Sequence, residues 1–516
     1  MKTHLDRHAS SADITLLLEG TFPYVHGGVS TWVHNLIRAF PQYTFALVFI
    51  GGQRADYGAP VFKLPANVVH FEQHFIHETR DTHPVAASRG DPDTFDKVGA
   101  FHDALRGVNQ PTACPDSSLQ HFVHTILSGG SLDENAFLYS ESSWNMIRDR
   151  YETYCTDPSF TDYFWTVRTI HRPIWQLVQI SETMLSTSLC HTVSTGYAGL
   201  LGALLSMRQN IPLLVSEHGI YTKERKIELL QSQWVKDNRG TFEKDRSEPG
   251  YLQALWIRFF ESIGRLCYSR ASDIISLYEG NRQRQMADGA PEARTAIIPN
   301  GIDIGHYASL RLQRTSATPP VVGFIGRLVS IKDVKTFIRA VFIARHTMPA
   351  LQGWIIGPEN EEPQYAQECH DLVMALNARS YIKFWGVQRI DEFLPKISLL
   401  VLTSISEGLP MVLLEAFAAG VPAVSTDVGA CRSLIEGYGA TDKALGLAGR
   451  VVPIADAEQT ASAMTDLLQA PMTWHAAQQA AIARVERYYT STLMEQRYDN
   501  LYQKLLTNRA LPVEEH

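Results

Sequence analysis

Two glutamates separated by seven residues, Glu407 and Glu415, stand in a stretch that is otherwise free of charge up to Asp427, SISEGLPMVLLEAFAAGVPAVSTDVG over residues 404–429. Carboxylates accept hydrogen bonds from vicinal diols, so such a pair suits the hydroxyls of a sugar or a ribose. A carboxylate on an apolar helix loses several kcal/mol of solvation unless it is paired or faces a cleft. Taken singly, Glu415 reads as a buried glutamate satisfied by an arginine or a backbone donor; the pair at a strand-to-helix junction reverses that reading. Arg327 and Lys332 follow Gly326 at the end of another apolar run. An arginine forks onto oxygens and a lysine supplies a point charge, which suits two phosphates, whereas alone the two would read as surface cations. His218, in Ser216-Glu217-His218-Gly219, follows a third apolar run, and Gly27-Gly28 sits in a loop after a fourth. Glycines let phosphate or sugar approach the backbone closely, although a lone Gly-Gly also marks an ordinary turn.

The elements that must hold these residues are short apolar runs alternating with helical periodicity. Residues 397–402, then 410–419, then 421–425 read as buried strand, helix and buried strand, with Gly408 in the turn, Pro410 at the first helical position and Gly420 ending the helix. Glu407 then lies in the loop and Glu415 inside the helix. At the start of the chain, a strand over 13–18 runs through the glycine loop into a helix over 30–40, and strands follow at 45–50 and 67–71. Residues 80–118 are polar and rich in Gly, Pro and Asp, and read as insertion and loops. Helical periodicity returns at 119–127, 136–154 and 164–188, with Pro173 expected to kink or divide the last. The aromatics there (Trp144, Tyr163, Phe164, Trp165 and Trp175) read first as core and second as an acceptor-sugar groove.

A strand at 190–193, a helix at 195–207 and a strand at 212–216 place His218 at a carboxyl strand end, where ligands gather in such sheets. Residues 222–246 mix both charge signs and read as an exposed helix and loop. A helix over 251–269 and strands at 273–277 and 296–298 lead into Pro299-Asn300-Gly301, a sharp turn. The polar residues after it, to 320, read as a linker. Strands at 321–325, 353–356 and 382–385 and a final helix at 491–506 complete the pattern, that of an α/β chain with parallel sheets.

Bulk properties set the limits. A chain of 516 residues exceeds one core, so two large domains are expected. Hydrophobic residues make 45% and charged residues 19%, as in soluble globular proteins. A net charge of −8 argues against a nucleic-acid partner held through phosphates. Cys114, Cys155, Cys190, Cys267, Cys369 and Cys431 show no paired spacing, so neither a zinc site nor a disulfide framework is indicated and a reducing cytoplasm fits best. The N-terminus lacks the apolar run of a signal peptide, no stretch reaches the length of a membrane span, and no lipidation signal is present. The expected place is therefore the cytosol, with recruitment to the inner membrane only through a partner.

The carboxylate pair and its junction resemble the C-terminal domain of retaining glycosyltransferases of the GT-B fold, glycosyltransferase family four, which have two facing Rossmann-like domains. The resemblance implies that Glu407 holds donor-sugar hydroxyls and Glu415 the ribose, and extends the donor site to Gly408 and Leu409. Helix N-terminal amides beside them would meet a diphosphate. It further implies that Gly27 and Gly28 face that diphosphate, that His218 borders the donor sugar, that Arg327 and Lys332 neutralise the leaving group, and that Gly386 and Val387 border the base. Many family members carry Gly where this chain has Asp333. Glu19-Gly20-Thr21, Phe49-Ile50-Gly51-Gly52-Gln53-Arg54, Ser216 to Tyr221 and Ile331 to Val334 are similar to the branch of the family that serves bacterial Pel exopolysaccharide synthesis.

That likeness implies transfer of a hexose or N-acetylhexosamine from a UDP-sugar to a glycan acceptor, with an inner-membrane Pel synthase complex as partner. The expected domains are 1–300 on the acceptor side with a helical insertion, 301–490 binding the nucleotide sugar, and a helix over 491–516 returning to the first. No metal is expected, because no Asp-x-Asp stands in a plausible loop. The rivals are an inverting transferase with His218 as base, a phosphorylase-like enzyme with pyridoxal, and a sugar-nucleotide sensor without turnover. The missing G-x-G-x-x-G spacing counts against a nicotinamide or flavin enzyme.

Overall fold

The computed structural model describes residues 7–78, 87–105, 117–127, 132–232, 234–235, 249–314 and 320–507. The chain divides into two compact units, residues 1–276, 282–297 and 499–516 forming the first and residues 277–281 and 298–498 the second. Each is built on a parallel sheet with helical crossovers, the Rossmann-like arrangement that the alternation of apolar runs and helical periodicity calls for.

In the first unit seven strands, β1 (Ser11–Glu19), β2 (Phe45–Gly51), β3 (Val68–Phe75), β4 (Ser186–Thr192), β5 (Leu213–Glu217), β6 (Asp273–Ser276) and β7 (Thr295–Ile297), lie in the order β3-β2-β1-β4-β5-β6-β7. Every residue of β2 is buried, as required of a strand covered on both faces, and Ile14 of β1 sits in register with Phe45. The strand order reverses between β1 and β4, so the loops leaving these two strands open a crevice at their carboxyl ends.

Among the described residues the long connection from β3 to β4 holds five helices, Pro92–Leu105, Ser117–Leu127, Glu134–Tyr139, Glu141–Tyr154 and Phe160–Thr183. The first replaces part of the loop expected over 80–118, whose residues 80–86 and 106–116 lie outside the described residues. Phe95, Val98, Phe101 and Leu105 form its buried stripe at helical spacing, which the intervening Asp, Lys and Gly residues obscure. The single helix expected over 136–154 is two, because Ser140 leaves helical geometry and its hydroxyl accepts from Ser143 N at 3.1 Å, capping the second. Pro173 does not divide the last helix, which runs unbroken for 24 residues. Buried Val167, Ile170, Ile174 and Leu177 on successive turns around it outweigh the roughly 3 kcal/mol that one interior proline costs.

The second unit contains β8 (Val321–Ile325), β9 (Gln352–Ile356), β10 (Ile382–Gly386), β11 (Leu399–Leu402), β12 (Ala423–Thr426) and β13 (Gly449–Val452), in the order β10-β9-β8-β11-β12-β13. Its order reverses between β8 and β11, the strands that precede Arg327 and Glu407. The stretch expected as a bare linker contains a short helix, Ile304–Ala308, because Asp303 caps it by accepting from His306 N at 3.2 Å. The last helix, Ser491–Thr507, contributes its residues from Asp499 onward to the first unit. There Tyr502 is buried against the rings of Phe40 and Tyr43, and its hydroxyl is hydrogen-bonded with His191 Nδ1 at 2.8 Å. No helix among the described residues is long and apolar enough to cross a membrane.

Candidate active site

In the second unit the loops leaving β8 and β11 are tied together by hydrogen bonds to main-chain carbonyls. Ile405 N donates to Ile331 O at 2.8 Å, and Thr403 Oγ1 donates to the carbonyls of Lys332 and Asp333 at 3.0 and 2.9 Å. This stitching brings two of the expected site residues into direct contact, for Lys332 Nζ is ion-paired with Glu407 Oε1. Ser404 Oγ donates to the same oxygen at 2.6 Å. The two side chains are only 20% and 10% exposed, so the pair is partly desolvated and its attraction exceeds that of a surface salt bridge. Asp333 has φ +44°, a left-handed conformation that L residues other than Asn and Asp avoid. Its carboxylate accepts from Thr336 Oγ1 at 2.6 Å and from Thr336 N at 3.3 Å, which caps the helix Val334–Ala344. The departure from the family's glycine thus keeps the backbone conformation that glycine serves.

Arg327 is held by a different carboxylate, Glu361, and both partners are half exposed. Glu362 accepts from Ser330 N at 3.0 Å, so the acidic loop after β9 engages the cationic loop after β8 twice. Sequence reasoning missed this loop, although Glu359, Glu361 and Glu362 after a strand and Gly357 were a visible signal. Gly357 N donates to Gly386 O at 2.9 Å, which joins the loop that starts with Gly386 to this cluster. Val387 beyond it is 75% exposed and free to meet a ligand.

The turn carrying Glu407, Gly408 and Leu409 is closed from behind by Gly429. A Cβ there would lie 2.3 Å from Gly408 O and 2.4 Å from Glu407 O, and the residue has φ +54°. Ala430 N donates to Gly408 O at 2.8 Å across the same contact. Pro410 is the N-cap of the helix Met411–Ala418 rather than its first residue, and Leu413 N donates back to its carbonyl at 3.1 Å. Gly420, at φ +73°, ends the helix as expected, with Gly420 N and Val421 N turned back onto Phe417 and Ala416 carbonyls. Glu415 lies beside Tyr307. Burial raises the Glu415 carboxyl above its ordinary range, the Tyr307 hydroxyl works against this, and nearby Asp391 adds to the rise. Glu407 and Glu415 therefore occupy different environments, one paired with a cation and the other beside a phenol.

In the first unit Gly27 and Gly28 begin the helix Gly28–Ala39, whose N-cap has no side-chain hydrogen bond. A Cβ at either glycine would meet nothing within 4 Å, and the Gly27 φ of 172° is ordinary extended backbone. Neither packing nor conformation within the unit requires glycine at these positions, and the open amides of a helix start are left beside them. Trp32 of the same helix meets the His218 ring edge-to-face at 4.6 Å, so the glycine loop and His218 converge. His218 Nε2 is buried with no protein partner, and burial lowers the imidazole to about 4. The strand end behind it is fixed by Glu217, 1% exposed, which accepts from Thr195 Oγ1, Tyr268 Oη and Gln285 Nε2 at 2.9, 2.5 and 2.9 Å. Desolvation raises Glu217 despite these donors.

Burial likewise lowers His171 to about 4 and His191 to about 3. Unfolding would restore all three to about 6.5, so the folded first unit binds fewer protons and its stability is lost as pH falls from 6.5 toward 4. Each histidine is expected to cost on the order of 2 kcal/mol by pH 5, with Glu217 offsetting part in the opposite direction. Urea unfolding at pH 7.5 and pH 5.0 checks this, and equal midpoints would contradict it.

Two units with parallel, doubly wound sheets, and charged loops at the switch point of the second, define the GT-B fold. The chain belongs to the family whose model is described as "Domain of unknown function (DUF3492)", which matches residues 12–293, and residues 319–470 match the model described as "Glycosyl transferases group 1". Among characterised proteins it is 29% identical over 226 residues to an exopolysaccharide phosphotransferase of Streptomyces coelicolor, covering 43% of this chain and 22% of that protein. It is also 30% identical over 182 residues to the lipopolysaccharide core biosynthesis glycosyltransferase LpsE of Rhizobium meliloti, covering 34% of this chain and 51% of that protein. The chain thus spans about half or less of these relatives' lengths. Anabaena HepE, solved in complex with UDP, superposes with a TM-score of 0.58 at 16% identity, over 96% of this chain and 100% of that one.

Proposed function

We propose that this chain is a retaining, metal-independent glycosyltransferase that moves a hexose or N-acetylhexosamine from a UDP-sugar onto a growing glycan. The observation that carries the reading is the Lys332–Glu407 pair across the switch point of a group 1 glycosyl transferase domain. Lys332 and Arg327 supply charge for a departing diphosphate, joined by helix-start amides, and Glu407 supplies an acceptor for sugar hydroxyls. Burial lowers the His218 imidazole to about 4, which makes it a weaker general base than an ordinary histidine and favours the retaining reading. Its unpartnered Nε2 suits a hydrogen bond to the donor sugar instead.

The named relatives that handle exopolysaccharide and lipopolysaccharide support a glycan acceptor, and the UDP complex of HepE supports the nucleotide. The distributed likeness to PelF, the glycosyltransferase of Pel exopolysaccharide synthesis, favours a cytosolic enzyme recruited by an inner-membrane assembly. The deciding experiment incubates the protein with a panel of UDP-sugars and acceptors and reads the product anomer by NMR. Retention of configuration is expected; inversion overturns the retaining assignment, and UDP-sugar binding without transfer or hydrolysis would make the protein a sensor. Arg327→Ala and Lys332→Ala are each expected to weaken UDP about ten- to a hundredfold and uridine far less, as a lost charge-assisted bond requires. UDP affinities equal to the parent's would refute the phosphate role.

A further inference from the structure

The helical insertion of the first unit contains a cavity of about 580 Å³ that shares no lining residue with the candidate donor site. Its size falls within the roughly 300–1,000 Å³ typical of ligand pockets. The floor is apolar, from Leu138, Ile147 and Phe164, and Trp144 stands on the wall with 47% of its surface open. Edge-to-face contacts at 5.5 and 5.7 Å to Phe160 and Phe164 fix the Trp144 ring. Polar groups converge on the same space. The Arg168 guanidinium lies 4.6 Å over the Phe164 ring, donates to Leu138 O, and leaves Nε buried with no partner. Exposed Arg89 and Glu141 complete the rim.

The wall is built rather than incidental. The segment that carries Arg89 is pinned to the junction of the helices Glu134–Tyr139 and Glu141–Tyr154, with Glu141 N donating to Ser88 O at 2.9 Å and Ser142 N to Arg89 O at 3.1 Å. Gly90, at φ +71°, makes this approach possible, since a Cβ there would lie 2.8 Å from the Ser140 side chain.

We infer that this cavity is a second carbohydrate site, which holds pyranose units of the glycan chain away from the donor site. The inference rests on the glycosyltransferase reading for its occupant. The C–H face of a pyranose is apolar and faintly positive and stacks on the negative face of an indole, while its equatorial hydroxyls need in-plane donors and acceptors. Trp144 supplies the first requirement. The half-buried Arg168 side chain that lines the cavity, together with exposed Arg89 and Glu141, supplies the second. An occupant without hydroxyls would leave these groups unmatched, and one without an apolar face would leave Trp144 uncovered.

The test is calorimetric titration of the full chain with hexasaccharides of glucose, N-acetylglucosamine and N-acetylgalactosamine. At least one is expected to bind; Trp144→Ala is expected to weaken it about tenfold or more and Trp144→Phe by less, as removal and shrinkage of a stacking face require. UDP affinity is expected to stay at the parent's value in both variants. Absence of binding by every hexasaccharide, or equal affinity in Trp144→Ala, would overturn the inference. If the parent binds a hexasaccharide through Trp144 but no UDP-sugar, the donor reading fails while this site stands.

Discussion

Arg484→Met is expected to lower the unfolding free energy of the second unit by about 3–5 kcal/mol. Arg484 is fully buried, and its Nε donates to Asp442 Oδ1 at 2.6 Å. Its two terminal nitrogens donate to the carbonyls of Leu434, Ile435, Asp442 and Gly446 at 2.8–3.2 Å. One side chain therefore closes the segment between the helix Cys431–Glu436 and β13. Removing it strands the Asp442 carboxylate, itself 4% exposed, and takes one donor from each of four carbonyls, of which Ile435 O and Asp442 O keep Ala448 N and Leu445 N. For a unit of this size each kcal/mol moves the midpoint about 2–4 °C, so a fall of the order of 10 °C is expected by differential scanning calorimetry. A shift of only a degree or two would show that water replaces the guanidinium and that the ion pair contributes little. Because replacing both charged partners by apolar groups is often neutral, Arg484→Met with Asp442→Leu is expected to recover part of the loss.

Gly429→Ala is expected to have the largest effect on turnover among substitutions that leave the charged groups intact. The new methyl would stand 2.3 Å from Gly408 O and 2.4 Å from Glu407 O, both main-chain atoms that no rotamer change can move. Relief requires the turn with Glu407 to shift by roughly an ångström, and a misplacement of that size costs on the order of a hundredfold in rate. The strained φ adds about 1–2 kcal/mol of destabilisation. Sugar transfer is thus expected to fall about a hundredfold while circular dichroism keeps its native form. A variant with near-parental rates would show that the position of Glu407 is not critical to the reaction.

Parallel α/β units and most strands were legible because buried parallel strands announce themselves as apolar runs between turn residues, as at 45–50 and 321–325. The carboxylates and cations of the candidate site stand out for the opposite reason: charge at the end of an apolar run has few structural explanations. Ion pairing was not legible, since nothing local in the sequence tells Lys332 to meet Glu407 or Arg327 to meet Glu361. Those contacts follow from the strand order. The helix Pro92–Leu105 escaped because its buried stripe is interleaved with Asp, Lys and Gly. Arg484 escaped although the clue was present, for it continues the stripe of Ala477, Ala480 and Ala481 on the helix Pro471–Tyr488, where a charge demands a buried partner. Gly429 needed the fold, because the carbonyls that forbid its side chain come from residues more than twenty positions earlier.

Asp333 carries one more consequence. A glycine at a left-handed position leaves the unfolded chain freer and so raises the entropy that folding must remove, by roughly 0.4–1 kcal/mol relative to a residue with a side chain. Asp333 takes up the same conformation, and its bonds to Thr336 offset the strain. The carbonyls of Lys332 and Asp333 are gripped from the other side by Thr403. The segment that presents the lysine is therefore ordered before any ligand arrives, and an anion bound at Lys332, as proposed above, would spend little of its binding free energy on freezing the chain that holds it.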